Sequence, residues 1–124
     1  MKEYTIKVFE EIGASNAVSA DAGEKIYNKI CNLFDKDYVV NIDFSGITGL
    51  ITAFLHSSIG KLYGRYSKEG FIKEHLNILN LKPEFNETLI KAITTAKIYY
   101  KNPKNLDKEY KEVLNEKHLW CSVL

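Results

Sequence analysis

"YVVNIDFSGITGLITAF", residues 38 to 54, decides how the chain folds. Tyr38 to Phe44 are β-branched, aromatic or apolar at nearly every position, the composition of a central strand covered on both faces. Ser45-Gly46 then permits a tight turn. From Thr52 the apolar residues Phe54, Leu55, Ile59, Leu62, Tyr63 and Tyr66 recur at helical spacing, and Gly70 stands where a left-handed cap would end the helix. Strand, short loop and helix in that order are the unit from which α/β folds are built.

The flanking sequence repeats the unit. Tyr4, Ile6 and Val8 alternate with Thr5, Lys7 and Phe9, which predicts a strand at or next to the sheet edge. Gly13 to Ala17 reads as a loop. Ala22, Ile26, Ile30, Leu33 and Phe34 then mark one face of a helix from about Ser19 to Phe34, with Ser19 as N-cap and Asp21 and Glu24 in the first turn. "HLNILNL", residues 75 to 81, reads as a third strand. Pro83 opens a helix whose buried face is Phe85, Leu89, Ala92, Ile93 and Ala96, and Asn102-Pro103 interrupts it. A last amphipathic segment uses Leu106, Tyr110, Val113 and Leu114, and the tail "HLWCSVL", residues 118 to 124, is unusually hydrophobic. The expectation is an α/β domain over residues 1–101, a mostly parallel or mixed sheet of three to four strands packed with about four helices. Residues 102–124 would be a C-terminal helix and tail packed on the domain or on a partner, including a second copy in a homodimer.

Composition removes several function classes. Seventeen basic against sixteen acidic residues give a net charge of +1, with the lysines spread along the chain, so no basic stripe suggests nucleic acid. No segment approaches the ~20 apolar residues that span a bilayer, and the N-terminus alternates where a signal peptide would be unbroken, so no membrane and a cytoplasmic location are the default. Cys31 and Cys121 lack ligand spacing and read as free thiols. His56, His75 and His118 are far apart, and neither a metal nor a cofactor is expected.

In parallel sheets, ligands gather at the loops beyond the strand C-termini, here Ser45 to Thr52. The candidate binding loop is Asp43, Ser45, Gly46, Thr48 and Thr52. Thr52 either caps the following helix or carries a phosphate, which the helix dipole would stabilise. Asp43 either accepts hydrogen bonds from the turn after it or faces a ligand. His56, Gly60, Lys61 and Arg65 form a candidate exposed helix face. Gly60 and Gly64 each weaken a helix by about 1 kcal/mol, which suits a close approach by a partner or by the domain's own packing. Ser57-Ser58 read as small packing residues and His56 as a rim residue. Gly46 and Gly49 lack the Lys-Ser/Thr ending of a phosphate loop, and without a nucleophile motif or paired carboxylates no enzyme is expected.

"VVNIDFSGITGLITAFLHSSIGKLY" resembles the core of the STAS domains, the fold of anti-sigma factor antagonists. In those proteins a strand ends in Asp-Leu-Ser-x-Val and a loop leads through Asp-Ser-Ser-Gly-Leu into a helix. Asp43-Phe44-Ser45-Gly46-Ile47 is similar to the first motif. In the second, the acidic position falls on Ile51, the first Ser on Thr52, the phosphorylated Ser on Ala53 and the Gly on Phe54. The chain looks closer to a divergent branch, the STAS-like domains of unknown function, where Asp-Phe-Ser-Gly-Val leads into a helix with Phe-Gly-Lys-Leu; "SSIGKLYGRY" at 57 to 66 and Ser19 to Gly23 resemble that branch. The resemblance implies a non-catalytic regulatory module in a bacterial signalling or partner-switching system, binding an anti-sigma factor or kinase-like ATPase through the loop and the helix after it. Phosphorylation at the usual serine is lost, and Thr52 is the neighbouring surrogate. Two alternatives stay open: a sensor of nucleotides or other anions at helix N-termini, and an oligomeric assembly component that uses the tail.

Overall fold

The computed structural model describes residues 2–66, 68 and 70–101, the last without its side chain. His118, Cys121, the amphipathic segment Leu106 to Leu114 and the hydrophobic tail lie outside the described residues. In chain order the elements are β1 (Glu3–Lys7), α1 (Val8–Ile12), β2 (Asn16–Ala17), α2 (Ala20–Asp35), β3 (Val39–Asp43) and β4 (Gly49–Leu50). Then follow α3 (Thr52–Leu55), a π-helical turn (His56–Gly60), α4 (Leu62–Arg65), α5 (Phe71–His75), β5 (Leu76–Leu79), a 3-10 turn (Pro83–Phe85) and α6 (Asn86–Lys101). The α/β class and the parallel sheet are as expected.

β3 is the centre of a three-stranded parallel sheet in the order β1-β3-β5, and β2 pairs with β4 in a separate two-stranded parallel ribbon. The register aligns Ile6, Ile42 and Ile78 on one face, and all three belong to the core with Val40 and Leu76. The other face corrects the expectation of a strand covered on both sides. There Thr5, Asn41 and Asn77 share a register row, Asn41 donating to Thr5 Oγ1 at 3.4 Å and Asn77 donating to Asn41 Oδ1 at 2.9 Å. Val39, Asn41 and Asp43 are only half-buried, because side chains alternate and a one-sided sheet needs apolar residues at every second position only.

Helices cover the apolar face. α2 starts where expected: Ser19 Oγ accepts from the Ala22 N–H at 3.0 Å, and Ile26, Ile30, Cys31 and Phe34 point into the core. Cys31 is a free buried thiol. Phe54, Leu55, Ile59 and Leu62 enter the same core from the α3–α4 segment, and Leu89 and Ile93 from α6. The ring of Phe34 meets those of Tyr66, Phe71 and His75 edge to face. His75 is buried, its Nδ1–H donating to the Phe71 carbonyl at 2.8 Å and its Nε2 lying 3.2 Å from Asp37 Oδ1.

Three boundaries differ from the sequence expectation. β1 ends at Lys7, and Val8 opens the short α1, which Gly13 closes in the left-handed region. Asn16–Ala17, expected in a loop, pairs with β4. The helix after Thr52 ends at Arg65, and Gly70, whose φ is +82°, precedes α5 instead of capping that helix.

Candidate functional site

The loop beyond β3 is held from below. Phe44 and Ile47 are buried, and the Ile47 N–H donates to the Phe44 carbonyl at 3.1 Å, closing the turn around Ser45-Gly46. Gly46 takes a φ of +82°, and a Cβ there would stand 3.2 Å from the Phe9 ring. Asp43 Oδ1 accepts from the Ser45 N–H at 2.9 Å, the Ser45 hydroxyl at 2.7 Å and the Asn80 amide at 3.0 Å. Partial burial pushes this carboxyl's pKa up, but the bonds from Asn80 and Ser45, helped by nearby Lys7, outweigh it and hold the group below its ordinary value. Asp43 therefore ties the end of β3 to its own turn and to the residue after β5, the turn-staple alternative of its two sequence readings.

The next step of the loop is set by β2. The Ser15 carbonyl accepts from the Thr48 N–H at 2.8 Å, and the Ala17 carbonyl from the Ile51 N–H at 3.2 Å. A Cβ on Gly49 would stand 2.4 Å from Asn16 Oδ1, so the glycine leaves room for the Asn16 side chain beside the ribbon. Pairing holds Ile51 extended at φ −125° and ψ 162°, and the helix begins at Thr52. This corrects the cap expectation for Thr52. Ile51 occupies the N-cap position, no side chain caps α3, and the Thr52 hydroxyl is exposed on the first helical residue.

The predicted exposed helix face divides. His56 is exposed. Gly60 is buried, because it lies in the π turn under α6: a Cβ there would stand 3.3 Å from the Ala96 Cβ. Gly64 lies under the Tyr100 ring, 2.5 Å from where its Cβ would be, so both glycines serve packing against α6. Lys61 and Arg65 reach back to α2. The Lys61 ammonium sits 4.7 Å from the Tyr27 ring centroid and 4.0 Å from Glu24, and Arg65 pairs with Asp35 at 2.9 Å. Both are at least one-third exposed, so each pair is worth about 1 kcal/mol or less. Ser57 and Ser58 are buried and donate to the Phe54 carbonyl at 3.1 and 2.8 Å, as packing residues.

What the sequence reading missed is an apolar surface beside Thr52. Ala17 and Leu50 are register partners, so Val18 and Ile51, the next residue of each chain segment, emerge together from the ribbon. They are 47% and 42% exposed, and Ala53, Thr52 and Ala20 around them are exposed as well. Phe9, 44% exposed, lies over Gly46 at the other end of the loop. The one available sequence signal was Ile51, an aliphatic residue at a helix start, where a polar cap is usual. Among the described residues no group of acidic, His or Cys side chains is arranged to hold a metal ion, and no helix is long and apolar enough to cross a membrane.

No curated protein and no solved structure matches the chain. A family model described as a STAS-like domain of unknown function matches residues 22–86, from the first turns of α2 to the start of α6 and including the whole loop and the helix after it. The match spans more than half of the 124 residues, and the chain belongs to the family of STAS-like domains of unknown function.

Proposed function

We propose that the chain is a non-catalytic regulatory module that captures a protein partner through the Gly46–Thr52 loop and the adjoining aliphatic pair. The observation that carries this reading is the exposed Val18–Ile51 pair beside Thr52, on a loop whose other apolar residues, Ile47 and Leu50, are buried. Exposed aliphatic side chains on a backbone fixed by β2 and by Asp43 contact a partner at little ordering cost. The hydroxyl and carboxylate nearest the turn, Ser45 and Asp43, are engaged with one another and with Asn80, which suits a binding surface better than a reacting one. The resemblance to anti-sigma factor antagonists supplies the partner class, an anti-sigma factor or a kinase-like ATPase in a bacterial signalling system. Thr52 is the modifiable hydroxyl of that surface.

The test is affinity purification of the tagged full chain from its native cells, beside the variants Ile51→Asp and Val18→Asp, with bound proteins identified and the intact mass read in the same samples. A partner held by the wild type and lost from both variants, with melting temperatures within about 4 °C of wild type, is the expected result. A partner retained by both variants places the contact elsewhere and overturns the proposal.

A further inference from the structure

Among the described residues β1 is an outermost strand of the three-stranded sheet, and Glu3, Tyr4, Thr5 and Lys7 are exposed along it. The direction of its backbone groups follows from its pairing with β3. The Val39 N–H donates to the Lys2 carbonyl at 2.8 Å, and in a parallel pair alternate residues bond to the same neighbour. Lys2, Tyr4 and Ile6 therefore face β3, while Glu3 and Thr5 turn both backbone groups, and Lys7 its N–H, away from it. The side chains of Glu3, Thr5 and Lys7 share the open face of the sheet with Asn41. There the amide row runs toward this edge: Asn77 donates to Asn41 and Asn41 to Thr5 Oγ1, so the Thr5 hydroxyl proton is directed elsewhere. Edges kept from pairing are commonly blocked by lysine. This one carries both signs of charge, Glu3 and Lys7, placed symmetrically about Thr5.

We propose that this edge pairs with the same edge of a second copy of the chain, β1 against β1 and antiparallel about Thr5, joining the two three-stranded sheets into one. A two-fold axis presents the same residues from both sides, so the pairing must be self-complementary. Centred on Thr5, it sets Glu3 of each copy opposite Lys7 of the other, and opposite charges at directly facing positions favour a pair where like charges oppose it. The backbone agrees with that centre. The two Thr5 residues, each with its N–H and carbonyl turned outward, exchange two hydrogen bonds, and each Lys7 N–H meets the carbonyl of Glu3 in the other copy. On the open face one Thr5 hydroxyl donates to the other, which connects the two amide rows across the axis. No other antiparallel centre within β1 brings Glu3 and Lys7 together. None of these residues belongs to the Gly46–Thr52 loop, so the inference stands apart from the capture reading.

Sedimentation equilibrium of the full chain over a wide range of protein concentration tests this, with Glu3→Lys, Lys7→Glu and the double swap Glu3→Lys/Lys7→Glu beside the wild type. The wild type is expected to reach twice the monomer mass. Each single swap sets like charges opposite one another at both ends of the pairing and should weaken association by on the order of tenfold or more. The double swap restores opposite charges and should recover the wild-type association. A wild type that stays monomeric throughout overturns the proposal. So do single swaps that associate as tightly as the wild type, or a double swap as weak as the singles.

Discussion

Gly23 offers the sharpest test of how α2 and the helix after the loop are fitted together. A Cβ added at this position would stand 1.9 Å from Ser57 Oγ, 2.5 Å from the Phe54 carbonyl oxygen and 3.2 Å from Ser57 Cβ. Ordinary contact begins near 3.5 Å, so Gly23→Ala is short by about 1 Å against a backbone atom that no rotamer change can move. Alanine gains about 1 kcal/mol of helix propensity over glycine. Overpacking costs about 1–3 kcal/mol, and here a hydroxyl bonded to the Phe54 carbonyl must also yield, which places this site at or above the top of that range. The expected net loss is about 2 kcal/mol, read as a lower urea midpoint and a melting temperature reduced on the order of 10 °C. Adding Ser57→Ala removes the hydroxyl but leaves the carbonyl, so the double variant should recover less than half of the loss. Gly23→Ala as stable as the wild type, or more so, would refute the reasoning, because the propensity gain would then be unopposed.

Gly46→Ala forces an L side chain to φ +82° and against Phe9, and a loss of about 1–2 kcal/mol in denaturant titration is expected. Thr52→Ala should change stability by no more than about 0.5 kcal/mol, since the hydroxyl caps nothing; a loss near 1 kcal/mol would reinstate the cap. Asp43 has a folded pKa below its unfolded value of about 3.9, so its contribution is complete above about pH 5 and is lost as the pH falls through the folded value. Urea midpoints measured from pH 6 down to pH 3 should therefore fall less steeply for Asp43→Asn, which should start lower at pH 6.

The elements the sequence showed clearly are those decided by neighbours in the chain. Ser19 caps α2 through a bond to Ala22, three residues away, and the Ile26, Ile30, Phe34 stripe needs only the helical period. The misreadings share a long-range cause. Thr52 is displaced from the cap position because the Ala17 carbonyl, 34 residues earlier, takes the Ile51 N–H and keeps that residue extended. Nothing local in "GLIT" announces a ribbon with Asn16–Ala17. Gly60 was placed on the outer face by a regular helical period, whereas the π turn shifts the phase and the residue meets Ala96 of α6. Val39 and Phe44 made β3 look covered on both sides, and the amide ladder of Asn41 and Asn77 shows how one face does without cover.

These displacements bear on what a phosphate could do here. The position that resembles the phosphorylated serine of the antagonists is Ala53, which is exposed and lies one residue beyond Thr52. On the proposed reading, the partner's contact is the aliphatic pair Val18–Ile51, and Thr52 adjoins it directly. A phosphate on Thr52 would bring about −1.5 to −2 charges to the edge of an apolar contact, where burial would strip its water. It would also sit beside the uncapped start of α3, which favours the charge in the free protein. The helix start favours the charge in either state, whereas the desolvation cost falls on the complex alone, so modification should release the partner. Thr52→Glu, a partial mimic, should weaken capture at least tenfold while Thr52→Ala leaves it intact, measured by titration calorimetry. Tighter binding by Thr52→Glu would mean that the partner reads charge, and the aliphatic pair would lose its place as the contact.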